Sequence, residues 1–158
     1  MYFKEALIIV DMQNYFRTAR DRSTISNVKK LIKEFIEKRR PIIVLEYYFE
    51  DKNIGHTLPC LTKILDDYYE TRYVRKSDDD GAAEVMECLE QNCWKVEKFK
   101  VCGVNIGACV RSTVETLTYE YNQTVEVVKK ACNGQETRSI AFKRNSDFYL
   151  NSPNVSVV

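Results

Sequence analysis

Residues 5–11 read Glu5-Ala6-Leu7-Ile8-Ile9-Val10-Asp11. A strand with one wet face alternates apolar and polar residues. An unbroken apolar run stopped by a carboxylate is instead the pattern of a strand buried on both faces. Pro41 opens a second such run at residues 42–45. Weaker strand patterns follow at residues 71–74, 95–104 and 124–128, with a short one at 154–158. Between them, apolar residues recur at helical spacing. Val28, Leu31, Ile32, Phe35 and Ile36 form one such stripe, which Ser26 or Asn27 would cap. Leu61, Ile64 and Leu65 form a second, and Val85, Met86 and Leu89 a third. Val110, Val114 and Leu117 lie in a helix from Cys109 to about residue 121, and a short helix is expected at 136–143. Residues 51–59 hold Asn, Gly and Pro and read as a loop. Strands alternating with helices imply right-handed crossovers. The expected fold is therefore α/β, a three-layer sandwich with a mostly parallel sheet of five or six strands. The chain has 158 residues, which fits one domain over 1–158 with a core large enough to need no staple.

Composition narrows the function classes. Lys plus Arg is 24 and Asp plus Glu is 23, a net charge of +1. That balance gives no reason to expect a nucleic acid or an anionic membrane as partner. No apolar run approaches the roughly 18 residues of a membrane helix, and the opening residues lack the pattern of a signal peptide. The six cysteines include no Cys-x-x-Cys pair, and His56 is the single histidine. A zinc knuckle and a His-rich metal centre are both disfavoured. The expectation is a cytoplasmic protein with reduced thiols, no metal and no cofactor.

In parallel α/β sheets, ligands sit at the carboxyl ends of the strands. Three residues fall there: Asp11 after the first strand, Lys76 beyond the third, and Cys109 after the fourth, where a helix begins. A thiol at a helix N-terminus meets free N–H groups and the positive end of the helix dipole, and a nearby ammonium adds to that field. On this basis Cys109 is expected to have a lowered pKa and to be the most reactive of the six thiols. The N–H groups there would also stabilise an oxyanion, and Asp11 would take and return the proton. Taken singly, these residues read more simply as a packed thiol, a turn former or helix cap, and a solvated charge. Their joint placement is what points to chemistry. Phe16, Tyr47 and Tyr73 are candidates to line a pocket for a small planar molecule.

These residues also carry a resemblance. The stretch from Ala6 through Asp11-Met12-Gln13-Asn14-Tyr15-Phe16 resembles the opening of the isochorismatase-like cysteine hydrolases, which include the nicotinamidases. Val101-Cys102-Gly103-Val104-Asn105-Ile106-Gly107-Ala108-Cys109 and the following Val110 to Thr113 resemble their nucleophile segment. Lys76 matches their catalytic lysine in place and order, and residues 55–59 resemble a common loop. The resemblance implies an isochorismatase-like, Rossmann-like fold. In it Cys109 is the nucleophile, Asp11 the general base and acid, and Lys76 the charge that orients them. It also implies a cis peptide between Val104 and Asn105, with the N–H groups of Asn105 and Cys109 forming the oxyanion hole. The expected reaction is hydrolysis of an amide-type C–N bond through a thioester. A homodimer or homotetramer is expected by the same analogy. Two departures stand out. Nicotinamidases hold a metal with an Asp-x-His pair near the end of the second strand, where this chain reads Glu46-Tyr47-Tyr48-Phe49. After Lys76 the family carries small and aromatic residues, where this chain reads Ser77-Asp78-Asp79-Asp80. The competing reading is a non-catalytic binding or scaffold protein that retains the fold.

Overall fold

The apolar run at the start of the chain forms β1 (Tyr2–Val10), whose last six residues, Glu5 to Val10, are buried. In the computed structural model, which describes residues 1–50 and 52–158, β1 is paired on both sides, to β2 (Ile42–Tyr47) and to β4 (Lys95–Val104). Burial on both faces and both edges is why it contains no alternating polar residue. With β3 (Thr71–Lys76), β5 (Thr124–Asn133) and β6 (Val155–Val157), the sheet has the order β3-β2-β1-β4-β5-β6, and all neighbouring pairs are parallel. The chain thus winds outward from β1 to β3, crosses back to β4, and winds outward the other way. The order reverses between β1 and β4, the place in a parallel sheet where the loops leaving two neighbouring strands diverge.

Helices cover both faces. α1 (Arg22–Glu37) packs over β1, β4 and β5 and touches α2 (Pro59–Leu65). α3 (Ala82–Gln91) and α4 (Cys109–Tyr119) pack on each other and on β2 to β5. The buried stripe Val28, Leu31, Ile32 and Phe35 of α1 is the one its spacing predicts. The helix starts earlier than Ser26, however. The Asp21 carboxylate accepts from the Thr24 N–H at 2.8 Å and so caps the helix from Arg22. β5 continues to Asn133, past the expected residue 128, because a register shift opposite Val101 to Gly103 lets Ala131 and Cys132 stay buried. The short C-terminal helix is α5 (Arg138–Arg144). α6 (Ser146–Asn151) follows it and was not foreseen, since six residues hold too little periodicity to read. The loop expected at residues 51–59 begins at Asp51, which lies outside the described residues. No described helix is long and apolar enough to cross a membrane.

Gly103 fixes how closely β1 and β4 approach. Its φ is +115°, and a Cβ there would stand 2.1 Å from the Val10 carbonyl oxygen. Gly103→Ala is therefore expected to cost more than about 3 kcal/mol or to prevent folding. Asp21→Ala should cost only about 1 kcal/mol, the worth of one helix cap. Urea unfolding of both variants checks the pair. A Gly103→Ala protein as stable as wild type would contradict this strand contact.

Candidate active site

At the end of β1 the backbone turns sharply. Asp11 has φ +51°, a left-handed conformation that Asp tolerates better than most residues. Its N–H donates to the Leu45 carbonyl at 3.0 Å, and its own carbonyl accepts from the Gln13 N–H at 2.8 Å. Gln13, fully buried, stitches the turn to its neighbours. Its Nε2 donates to the carbonyls of Tyr47 and Gly55, and its Oε1 accepts from the Tyr47 N–H. The turn leaves the Asp11 carboxylate buried and aimed at the end of β3. There the Lys76 Nζ lies 3.1 Å from Asp11 Oδ2, and neither side chain is more than 1% exposed. Lys76 also donates to the carbonyls of Asp78 and Asp79, at 2.8 and 3.1 Å, and lies 4.6 Å from the Tyr47 ring centroid. The loop after Lys76 thus curls back over its ammonium. Gly81 closes that loop against the lysine stem, where a Cβ would stand 2.8 Å from Lys76 Cδ. Its N–H donates to Thr113 Oγ1 on α4.

The third residue arrives from the other side of the crevice. β4 ends at Val104, the Val104–Asn105 peptide is cis, and α4 begins at Cys109. The Asn105 carbonyl accepts from the N–H groups of Ala108 and Val110. The N–H groups of Asn105 and Cys109 have no partner among the described residues. Three contacts anchor this turn. The Thr18 hydroxyl donates to Asn105 Oδ1 at 2.6 Å, Asn133 Nδ2 donates to the Thr18 carbonyl, and the Tyr149 hydroxyl donates to the Ile106 carbonyl at 2.5 Å. The Cys109 thiol is buried beside Asp11 and donates to Asp79 Oδ1 at 3.6 Å.

Electrostatics correct one expectation. Burial, and then the charge of Asp11, push the Cys109 thiol far above its ordinary value and outweigh the pull of Lys76. The helix N-terminus does not prevail, because the Lys76 ammonium is already engaged by Asp11 and two carbonyls while the thiol faces two carboxylates. Burial also raises Asp11, with Lys76 opposing the rise. The resting thiol is therefore protonated, beside Asp11. Reagent access runs the same way: Cys60 and Cys93 are exposed and Cys109 is buried, so Cys109 is not the most accessible thiol.

The structure brings Asp11, Lys76 and Cys109 together. Phe16 and Tyr47 adjoin them with rings perpendicular and centroids 6.3 Å apart. Phe16 also lines a cavity of about 730 Å³ that reaches Asn105, Thr18 and Asn133. Tyr73 does not join this site. It lies three residues before Lys76 on β3 and so projects from the opposite face of the sheet, where its hydroxyl donates to Asp66. His56 is exposed, with Nδ1 3.8 Å from Glu46, whose other oxygen accepts from the N–H and hydroxyl of Thr57. No three His, Cys, Asp or Glu side chains cluster as metal ligands among the described residues. Sequence reasoning assigned no role to Asp79, Gln13, Thr18 or Asn133. The Asp78-Asp79-Asp80 run was a visible signal for the first. Gln13 stood inside the first motif. Thr18 and Asn133 had no signal, since their pairing with Asn105 depends on tertiary contact.

The Isochorismatase domain family matches residues 5–144 of the chain. No curated protein matches the chain by sequence. Among solved structures the chain is similar to the nicotinamidase SaPncA from Staphylococcus aureus, with TM-score 0.75 and 17% identity, covering 98% of this chain and 99% of that one. It is similar to the MAR1 ribonuclease from Caenorhabditis elegans, with TM-score 0.78 and 24% identity over 98% and 76% of the two chains. It is similar also to N-carbamoylsarcosine amidase from Thermoplasma acidophilum, with TM-score 0.73 and 18% identity over 98% and 95%. At these identities the structural likeness carries the fold, an α/β fold with one parallel sheet.

The charge arrangement sets an order of thiol reactivity. At neutral pH iodoacetamide should label Cys60 and Cys93 before Cys109. A raised thiol pKa means little thiolate at pH 7, so Cys109 labelling should climb as pH rises through and beyond the usual thiol range. Asp11→Asn should speed Cys109 labelling at pH 7 by removing a charge that opposes thiolate. Lys76→Met should slow it and cost about 3–5 kcal/mol of stability, because Asp11 is left buried without its partner. Timed labelling with peptide mapping reads all four outcomes. A Cys109 rate independent of pH would contradict the arrangement.

Proposed function

The chain belongs to the isochorismatase family of hydrolases, and on that premise we propose that it cleaves the C–N bond of a small amide through a thioester on Cys109. The observation that carries this reading is the convergence of Asp11, Lys76 and Cys109 in one crevice beside two unpartnered N–H groups. A substrate carbonyl carbon set before Sγ would direct its oxygen to the N–H groups of Asn105 and Cys109. As the S–C bond forms, the thiol proton passes to Asp11. The carbonyl π electrons move to oxygen, and the oxyanion rests on the two N–H groups. Collapse breaks the C–N bond while Asp11 returns the proton to the leaving nitrogen. Water then gives a proton to Asp11 and adds to the thioester carbonyl. The acid departs, and sulfur recovers its proton from Asp11.

The environment of each group suits this cycle. Burial raises the Asp11 pKa, which makes it a better proton acceptor than an exposed carboxylate. Lys76, 3.1 Å away, opposes that rise and favours the ionised form of Asp11. Phe16 and Tyr47 would form an apolar wall for the substrate body.

The donor set does not fit a resident metal. Where nicotinamidases carry their Asp-x-His pair, this chain offers Glu46, already bonded to Thr57, and an exposed His56. No step is therefore assigned to a metal. The ribonuclease activity named for one structural neighbour is not carried to this chain. Its net charge is +1, and a carboxylate stands at the thiol, so a polyanion finds no basic track here.

With a panel of small amides and ammonia release as readout, Cys109→Ala should abolish turnover. Asp11→Asn should lower kcat by about a thousandfold or more, through loss of both proton transfers. Chelation should leave the rate unchanged. Thr18→Val, which frees the Asn105 side chain, should lower kcat by about tenfold with KM little altered. Wild-type turnover by Cys109→Ala would exclude the thioester route.

A further inference from the structure

The loop after Lys76 does more than cover a charge. It delivers the Asp79 carboxylate to the nucleophile, with Oδ1 3.6 Å from Cys109 Sγ and accepting from the thiol. No Lys or Arg forms an ion pair with Asp79 among the described residues. Lys76 cannot neutralise it, because an ammonium has three donors and this one faces Asp11 and the carbonyls of Asp78 and Asp79. The other nearby cations are engaged elsewhere. Arg75 lies over the Tyr48 ring, and Arg111 bonds Asn145 and approaches Glu115. Counting formal charges at the thiol, Asp11 and Lys76 cancel and Asp79 remains. Arg17 and Arg20 line the cavity beyond Asn105, where Asp21 and Glu136 are engaged by Arg138 and Arg144, and neither Arg17 nor Arg20 is ion-paired with Asp79 among the described residues.

A second observation points the same way. Both oxygens of the buried Asp11 carboxylate lack a well-directed hydrogen bond among the described residues. The crevice therefore contains two carboxylates, with one mobile proton on sulfur between them. The thiol is drawn to both carboxylates, and the share of its hydrogen bond that Asp79 takes is lost to Asp11, the base the proposed reaction needs.

We propose that Asp79 selects substrates carrying a cation, a protonated amine or a guanidinium, within ion-pair reach of the scissile carbonyl. This rests on the cysteine hydrolase reading and names its substrate class. A cationic group seated on Asp79 supplies the missing charge and takes over the hydrogen bond that the thiol now donates. The thiol is then free to turn to Asp11, so the right substrate also releases its own nucleophile. A neutral amide of the same shape leaves Asp79 on the thiol, and an anionic one is repelled at about 4 Å, where charges interact most strongly.

Two measurements test this, and the first needs no turnover. In a Cys60→Ser, Cys93→Ser background, Cys109 is modified with two methanethiosulfonates of equal length. One carries a trimethylammonium and the other a sulfonate. Each forms a mixed disulfide and releases methanesulfinate. The cationic reagent should react faster by about tenfold or more, and Asp79→Asn should bring the ratio within about threefold. Asp78→Asn, which removes a neighbouring charge that does not touch the thiol, should move the ratio less. A ratio of one or below in the Cys60→Ser, Cys93→Ser protein overturns the proposal. Because each ratio is internal to one variant, a loosened fold would raise both rates and leave the ratio interpretable. The second measurement compares kcat/KM for matched ammonium-bearing and uncharged amides. The preference for the ammonium should vanish in Asp79→Asn, mainly through KM, and reverse toward carboxylate-bearing amides in Asp79→Lys. An unchanged preference in Asp79→Asn overturns the assignment. A charge-selective Cys109 that turns over no amide instead refutes the hydrolase reading alone.

Discussion

An ammonium and a carboxylate 3.1 Å apart, both shut away from water, organise the carboxyl edge of this sheet. Removing such ions from water costs several kcal/mol each, and attraction between them offsets that only when the remaining donors are also satisfied. Lys76 meets the condition by donating to the carbonyls of Asp78 and Asp79. The loop must therefore curl over the lysine rather than run outward. Gly81 permits the close return and ties the loop to α4 through Thr113. Once that path is set, the position of the Asp79 side chain over Cys109 follows. A single buried pair thus fixes the Asp11 carboxylate, a loop conformation and a second carboxylate at the Cys109 thiol.

The opposite wall of the crevice is fixed by different means. The turn from Asn105 to Cys109 contains no charge. It is held by hydrogen bonds from three distant parts of the chain: Thr18 after β1, Asn133 at the end of β5, and Tyr149 on α6. The Asn133 side chain reaches Thr18, while its carbonyl accepts from the Ile106 N–H, so β5 supports the turn directly and through a neighbour. The C-terminal helices pack on β5 and β6, and through Tyr149 they also buttress the segment that carries Cys109. The two walls differ in their sensitivity. On the proposed reading the charged wall would respond to pH and to ligand charge, and the neutral wall to packing.

Patterns tied to a single element could be read from the sequence, and patterns made by several elements could not. Residues 5–11 hold the buried part of β1 and the carboxylate that follows it, because a doubly buried strand has a composition of its own. The topological rule for parallel sheets then places Asp11, Lys76 and Cys109 at one edge without any distance being known. Tyr73 misled because it was chosen for its residue type near Lys76, and strand parity sends it to the other face. Asp21 was overlooked as a cap because the apolar stripe begins later than the helix. The sign of the Cys109 shift was misjudged for a deeper reason. A helix N-terminus is a local feature, but desolvation and the count of carboxylates at a thiol are properties of the assembled site.

That sign has a consequence for how such a site would work. A thiolate held permanently at a helix N-terminus is reactive toward any electrophile and toward oxidants. A thiol kept protonated by burial and by two carboxylates is nearly inert until one of them is occupied. Its nucleophilicity then depends on what enters the crevice rather than on the resting field. Asp11 cannot be the carboxylate that is occupied, because it must stay free to take the proton. Asp79 can be, since it is exposed, unpaired among the described residues and in contact with sulfur. The division of labour between two chemically identical groups follows from their surroundings. One is buried against an ammonium and, on the proposed reading, would exchange a proton, while the other stands at the water's edge and would sense charge.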